Sequence, residues 1–376
     1  MISLARSTRR AVSQVLQMAP VMLWRKLVPK SELGFCYHIV SDRPVPHVKH
    51  YRVLDTATFE SDLEYLQARF EFIAYEQLVQ RRTSTNSRRD NSVILTFDDG
   101  FAECATVVAP LLQRHGLSCI FFVITDLIDN QEIFRESAAS LCIQAILQLS
   151  FGQVESIMTE LALGARLRPT PGALFAPAML PLEVADLGPG LDPRLLPLLQ
   201  WLLQLPAREE GQLVGLLARL GIDPRSYLRK AQPYLTTELI RQLHADGFAI
   251  GAHSLSHRRL QDLPRAEAEH EIVESCRIVR EITGQTTVPF AFPYFGGGLD
   301  RPWLARLREQ HDFIGLFFDT DGLREDEPFV VQRVFGERFS RDRTLDAILR
   351  RAWARPSAWG RRSRPSGPAG QSRAAP

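Results

Sequence analysis

The sequence predicts an α/β protein built on a largely parallel sheet or barrel, and three observations carry that expectation. Short apolar, strand-like runs recur along the 376 residues. Several are separated by segments with the apolar spacing of a helix. Helix starts and stops fall just ahead of strands, the order that produces βαβ units. The runs are Leu33–Val40, Val93–Phe97, Ser118–Thr125, Phe248–Ser254, Val288–Tyr294, Ile314–Thr320 and Val330–Phe335. Between the first two, Phe59, Leu63, Leu66 and Phe70 stand at spacings of 4, 3 and 4, which aligns them on one helical face. Ile272, Cys276, Val279 and Ile282 draw a second such stripe. Thr236 is suited to cap a helix that stops at Gly247 and feeds the strand beginning at Phe248.

Composition narrows the rest. Apolar residues make up 45%, enough for a full core, and a net charge of +2 gives no reason to expect nucleic acid as a partner. The five cysteines (Cys36, Cys104, Cys119, Cys142, Cys276) are odd in number, scattered and set in apolar runs. That suits small buried hydrophobes in a reduced, cytoplasmic compartment better than a disulfide framework or a zinc knuckle. Residues 1–32 read as an amphipathic helix, packed or in peripheral contact with a membrane. Gln14, Gln17 and Pro20 interrupt it, which argues against an export signal and leaves it too broken to span a bilayer.

Arg81–Ser92 is polar and basic and reads as a loop. The stretch from about 134 to 233 breaks leucine-rich helical pieces with proline and glycine, and reads as a helical insertion in a domain over 33–351. Its run Leu195–Leu205 reads as a helix packed on the barrel, with a lid or membrane-facing surface as the alternative. Residues 352–376 are rich in Arg, Pro, Gly, Ser and Ala and read as a basic, disordered tail.

The chemistry lies at strand ends. Asp98 and Asp99 directly follow the run Val93–Phe97, and Gly100 follows them. Adjacent strand side chains point to opposite faces, so both carboxylates serve one site only if the chain bends, which Gly100 permits. His253 and His257 straddle another strand end, able to reach one metal if the chain turns helical after His253. Pro293 and Tyr294 end a third run, ahead of Gly296, Gly297 and Gly298. In α/β barrels such ends converge on one face. One carboxylate and two imidazoles suit a borderline divalent metal such as zinc, and a second carboxylate beside it can act as base. Taken singly, the elements also read as an ordinary turn and unrelated histidines. Two His and one carboxylate also form the facial triad of Fe(II) oxygenases, but those sites sit on all-β folds, which the strand–helix alternation disfavours.

At these residues the sequence resembles a known family. Thr96-Phe97-Asp98-Asp99-Gly100 and His253-Ser254-Leu255-Ser256-His257 are similar to the first two motifs of the polysaccharide deacetylases, the NodB-homology group or carbohydrate esterase family 4. The likeness runs from about Leu33 to Leu349, apart from the insertion. It implies an incomplete, distorted (β/α)7 barrel and a divalent-metal hydrolase that removes acetyl from N-acetylated sugars. By the same resemblance Asp98 matches the catalytic base, and Asp99, His253 and His257 match the metal ligands. Tyr294 matches the residue whose backbone N–H helps hold the oxyanion.

Two family features are altered. The arginine that orients the base, three residues before the tyrosine, is replaced by Ala291. Arg333 is a substitute to weigh against an ordinary salt-bridge role. The late Leu-x-His motif is absent from Val331–Phe335. Cys36-Tyr37-His38-Ile39-Val40 resembles the opening strand of a branch in which that histidine has moved to the N-terminus, which makes His38 the candidate general acid. Asp319 or Asp321 is a candidate to orient it, with a plain turn as the alternative. The expected partner is an N-acetylated polysaccharide or glycoconjugate, with a divalent metal, zinc by expectation, as cofactor. A non-catalytic glycan-binding relative and a hydrolase of small non-sugar amides are the other readings.

Overall fold

The computed structural model describes residues 32–50, 52–83, 92–163, 191–203, 210–324, 326–337 and 344–353. The helix expected over 1–32, all but Glu32, and the tail expected over 352–376, all but Ala352 and Trp353, lie outside the described residues; those two are the end of the last helix rather than tail. The strands are β1 (Leu33–Tyr37), β2 (Glu71–Phe72), β3 (Ser92–Phe97), β4 (Cys119–Val123), β5 (Ala249–Ala252), β6 (Val288–Ala291), β7 (Ile314–Asp319) and β8 (Val330–Phe335). All their pairings are parallel. Seven form a ring in the order β1-β8-β7-β6-β5-β4-β3, closed because β1 also pairs with β3. The ring is distorted on one side. β5 and β6 meet at one residue pair, Ala252 with Phe290, and the β6–β7 register shifts between Val288 and Phe290. Each of the seven expected strands is present, while β2, two residues long, is too short to leave a sequence pattern.

The first helices are α1 (Thr56–Gln67), α2 (Tyr75–Thr83) and α3 (Ala109–Arg114). Between β4 and β5 come α4 (Arg135–Ile146), α5 (Phe151–Glu160), α6 (Leu196–Leu203), α7 (Glu210–Arg219) and α8 (Pro224–Ala231). The helix α9 (Thr237–Ala245) leads into β5, and α10 (Arg265–Thr283), α11 (Arg301–Gln310) and α12 (Leu345–Trp353) come after it. The Thr236 side chain accepts from the Leu239 N–H at the start of α9, and Gly247 takes a left-handed φ of 91° after it. No helix among the described residues is long and apolar enough to cross a membrane.

One expectation fails at Arg81–Thr83, which form the last turn of α2 rather than a loop. Arg81 pairs with Glu71, and Arg82 donates to the carbonyls of Pro328 and Val330. Basic side chains suit a helix C-terminus, so charge that read as loop is helix-end charge.

Strand pleating sorts the side chains into two layers. Phe35, Tyr37, Val93, Leu95, Phe97, Phe121, Phe290 and Phe317 share one cluster with α1, α9, α10, α11 and α12, so they face outward onto the helices. Ile94, Ile120, Phe122, Ala291, Phe318 and Val331 form a second cluster on the opposite face, which alternation assigns to the barrel interior. Tyr75 and Leu78 of α2 join this interior cluster. The interior phase of β1 is therefore Gly34, Cys36 and then His38. That of β3 is Ile94, Thr96 and then Asp98.

The insertion builds its own apolar core from Ala138, Ile143, Val154, Leu199, Leu202, Leu213 and Leu216. The run beginning at Leu195 belongs here. Its helix α6 packs on α4, not on the barrel, which corrects the expected placement. A small cluster of Ile39, Phe101, Ile124, Phe134, Leu228 and Tyr234 joins the insertion to the strand-end loops.

Candidate active site

Asp98 continues the inward phase of β3, whereas Asp99 would point outward if the strand ran on. The chain leaves the strand there, with Asp99 at φ 72° and Gly100 at φ 71°. Two successive left-handed residues return the Asp99 carboxylate to the interior side. Gly100 also lies against Val123, which a Cβ would approach to 3.1 Å. A left-handed aspartate is less costly than most residues there, because its short polar side chain tolerates that region.

The histidine pair is positioned by a different bend from the one expected. No helical turn follows His253. Ser254 and His257 both take positive φ, 64° and 58°, and the Ser254 hydroxyl accepts from the His257 N–H. The Glu271 side chain of α10 accepts from the N–H groups of Leu255 and Ser256 and from the Ser256 hydroxyl, which pins the loop. The two rings come to 4.8 Å, centroid to centroid. His253 Nδ1 engages the Ala291 carbonyl at 2.9 Å, and its Nε2 lies 3.5 Å from Asp99 Oδ1. His257 Nε2 lies 3.6 Å from the same oxygen.

These separations are long for hydrogen bonds. They match ligands sharing one ion, since donor atoms about 2.1 Å from a tetrahedral zinc stand about 3.4 Å apart. Burial pulls His257 down to about 4, so its imidazole is neutral at pH 7 with one nitrogen lone pair to offer. Asp99, His253 and His257 could therefore hold one divalent cation.

Asp98 is held from the other side. Arg333 of β8, fully buried, donates from Nη1 to Oδ1 at 2.6 Å and from Nη2 to Oδ2 at 2.9 Å. Its Nη1 also reaches the Thr96 hydroxyl, and the guanidinium lies over the Phe122 ring. Burial alone would push the Asp98 carboxyl up. The Arg333 charge, helped by His253 and His38, outweighs this and holds it well below the usual carboxylate range. Gly34 makes room for the arginine stem, because a Cβ there would lie 2.5 Å from Arg333 Cγ. Arg333 thus supplies the fork that Ala291, packed among Phe122 and Phe318, does not. The Cys36 thiol donates to Asp98 Oδ2 at 3.3 Å, a contact sequence reasoning missed although the β1 alternation puts Cys36 inside with His38.

His38 sits at the end of β1 and lines the same cavity as Asp98, Asp99, His253 and His257. Its partner is Glu337, which takes Nδ1 at 2.8 Å and the backbone N–H at 2.5 Å. Gly336 carries the chain to Glu337 across the Tyr37 ring, where a Cβ would not fit. Burial lowers the His38 pKa, but the Glu337 carboxylate prevails and raises it to about 9. Neither aspartate expected to orient His38 does so. Asp319 accepts from the Gly296 N–H, Arg301 and Arg324, and Asp321 pairs with Arg324. Their work is to brace the loop after Tyr294. Sequence reasoning missed Glu337, although a carboxylate two residues past the last strand was the available signal.

Tyr294 has a positive φ of 60°, and its carbonyl accepts from the Thr320 hydroxyl. Its ring packs on His257. Its hydroxyl donates to Glu136 Oε1 at 2.6 Å and accepts from Arg135 at 3.0 Å. Glu136, from α4 in the insertion, lines the cavity and had no sequence signal.

Fold and site together define a parallel α/β barrel with a carboxylate–imidazole cluster at the C-terminal mouth of its strands. A polysaccharide deacetylase family model matches residues 85–144 and 212–309, the segments that hold Asp98, Asp99, His253, His257 and Tyr294. Over those segments the chain is similar to the polysaccharide deacetylases, hydrolases that act on non-peptide carbon–nitrogen bonds. His38, Arg333 and Glu337 lie outside the matched segments. Among solved structures, the chain is similar to IcaB from Ammonifex degensii, with 16% identity, TM-score 0.48, and 87% of this chain and 98% of that chain covered. It is also similar to the Streptococcus pyogenes deacetylase PplD in complex with acetate, with 11% identity, TM-score 0.49, and 86% and 99% covered. No curated protein matches the sequence.

Proposed function

We propose that this protein removes N-acetyl groups from an amino sugar in a polysaccharide or glycoconjugate, with zinc as the divalent ion held by Asp99, His253 and His257. The observation that carries the reading is the pairing of that three-ligand cluster with Asp98, ionised by Arg333 and 3.7 Å from His253 Nε2. A bound divalent ion would act as Lewis acid on the acetyl carbonyl and lower the pKa of water. Asp98 receives the proton of the attacking water, its carboxylate fixed by the arginine fork. The Tyr294 backbone N–H stabilises the oxyanion. His38, charged at neutral pH through Glu337, gives its proton from Nε2 to the departing amine, because Nδ1 is engaged by the carboxylate.

The test is acetate release from N-acetylhexosamine oligomers by metal-loaded protein, with Asp98→Asn as control. The expected result is turnover by the wild type and near-complete loss, with metal content retained, in the variant. A variant with near-native turnover would remove Asp98 from its role. Absence of acetate release by the wild type on every acetylated probe would favour a glycan-binding protein instead.

A further inference from the structure

We propose that Glu136, carried to the cavity by the insertion, receives a hydroxyl group of the sugar and so selects hydroxylated N-acetyl substrates over other acetyl compounds. The inference rests on the deacetylase reading above. Glu136 is in the first turn of α4, where an acidic residue suits the helix dipole. A surface carboxylate would serve the dipole equally well, but this one is turned into the cavity that also holds Asp98, Asp99 and both imidazoles. Its Oε1 is taken by Tyr294 and Arg135. Its Oε2 is buried without a hydrogen-bond partner. A buried carboxylate oxygen with no donor is costly, and native structures retain such atoms where something else completes them. What completes this one must bring an O–H or N–H into the cavity. A sugar hydroxyl does so; the acetamido N–H is the substrate's other donor, and an acetyl ester without hydroxyls offers neither.

The carboxylate is also rigidly placed. Ser140, one turn along α4, accepts from the Lys49 N–H and meets His50 Nδ1, which ties the helix to the loop after β1. The far side of α4 is buried in the insertion's own core. A group fixed by two neighbours and a packed helix discriminates between ligands better than one on a free loop, because no ordering cost dilutes the contact.

The experiment compares kcat/KM for an N-acetylglucosamine oligomer and for 4-nitrophenyl acetate, which has no hydroxyl, in the wild type and in Glu136→Gln. The expected result is a wild-type preference for the sugar that falls tenfold or more in the variant, mainly through a rise in the sugar's KM. If the wild type takes only the sugar, a tenfold rise in KM decides in the same direction. An unchanged preference, or equal loss on both probes, overturns the assignment of Glu136 and leaves the deacetylase reading intact. A wild type with no preference overturns it without recourse to a variant. A wild type that turns over neither probe removes the deacetylase reading and this inference with it.

Discussion

Arg333 grips both oxygens of Asp98 from 235 residues away, across the interior of the barrel. The same guanidinium touches Thr96, one pleat earlier on β3. A buried bidentate pair of this kind fixes the direction of the carboxylate as well as its charge.

Removing the fork should therefore cost both stability and turnover. Arg333→Ala is expected to destabilise the fold by about 3–5 kcal/mol, the range for stranding one member of a buried pair. Turnover should fall about a hundredfold or more. Arg333 holds the Asp98 carboxyl low, so its loss raises that pKa, and the acid limb of the pH–rate profile should move toward neutral pH. Denaturant melts and a pH–kcat/KM series check both. Arg333→Lys should not rescue, because an ammonium cannot span two oxygens.

Gly34→Ala tests the same contact from the neighbouring strand, β1. The added methyl would stand 2.5 Å from Arg333 Cγ, on the stem of the side chain rather than its mobile end. The expected outcome is a loss of about 1–3 kcal/mol and reduced turnover with metal binding unchanged. Chemical denaturation and metal titration separate the two effects.

Glu337 governs the alkaline side. His38 is raised to about 9 from an ordinary 6.5, so its stabilising contribution is complete below about pH 6.5 and disappears as pH rises through about 9. The contribution is on the order of 3 kcal/mol. Glu337→Gln should erase that pH dependence of unfolding. It should also bring the alkaline limb of the rate profile down from near 9 toward 6.5.

The proposed metal ligands answer to a direct measurement. His253→Ala and Asp99→Asn are each expected to lose bound metal and turnover together, read by elemental analysis and acetate release. Chelation of the wild type should abolish turnover, and zinc should restore it. Metal retained in His253→Ala would take that imidazole out of the ligand set.

The barrel was legible because each strand of the ring is a separate apolar run, and helix stripes stand between several of them. β2 was not, since two residues carry no period. In the site, Asp98, Asp99, His253 and His257 were marked by short local motifs. Their geometry was not, because it depends on left-handed backbone at Asp99, Ser254 and His257, none of which is a glycine. Arg333 could be named only as a substitute for the arginine missing at Ala291, Glu337 was missed, and neither carries a motif. Their significance comes from β8 lying beside β1, a pairing between distant parts of the chain that leaves no local trace. Glu136 was unreadable for a related reason, since its meaning depends on the start of α4 meeting the cavity.

That β1–β8 seam has a consequence for how the molecule matures. Asp99, His253 and His257 all precede β8 in the chain, whereas the supports of Asp98 and His38 are Arg333 and Glu337, on or just beyond it. During synthesis, an emerging chain could acquire its ion before the last strand had docked, yet it would lack the anchored base and the charged histidine. On the proposed mechanism, full hydrolytic competence would then wait for the ring to close.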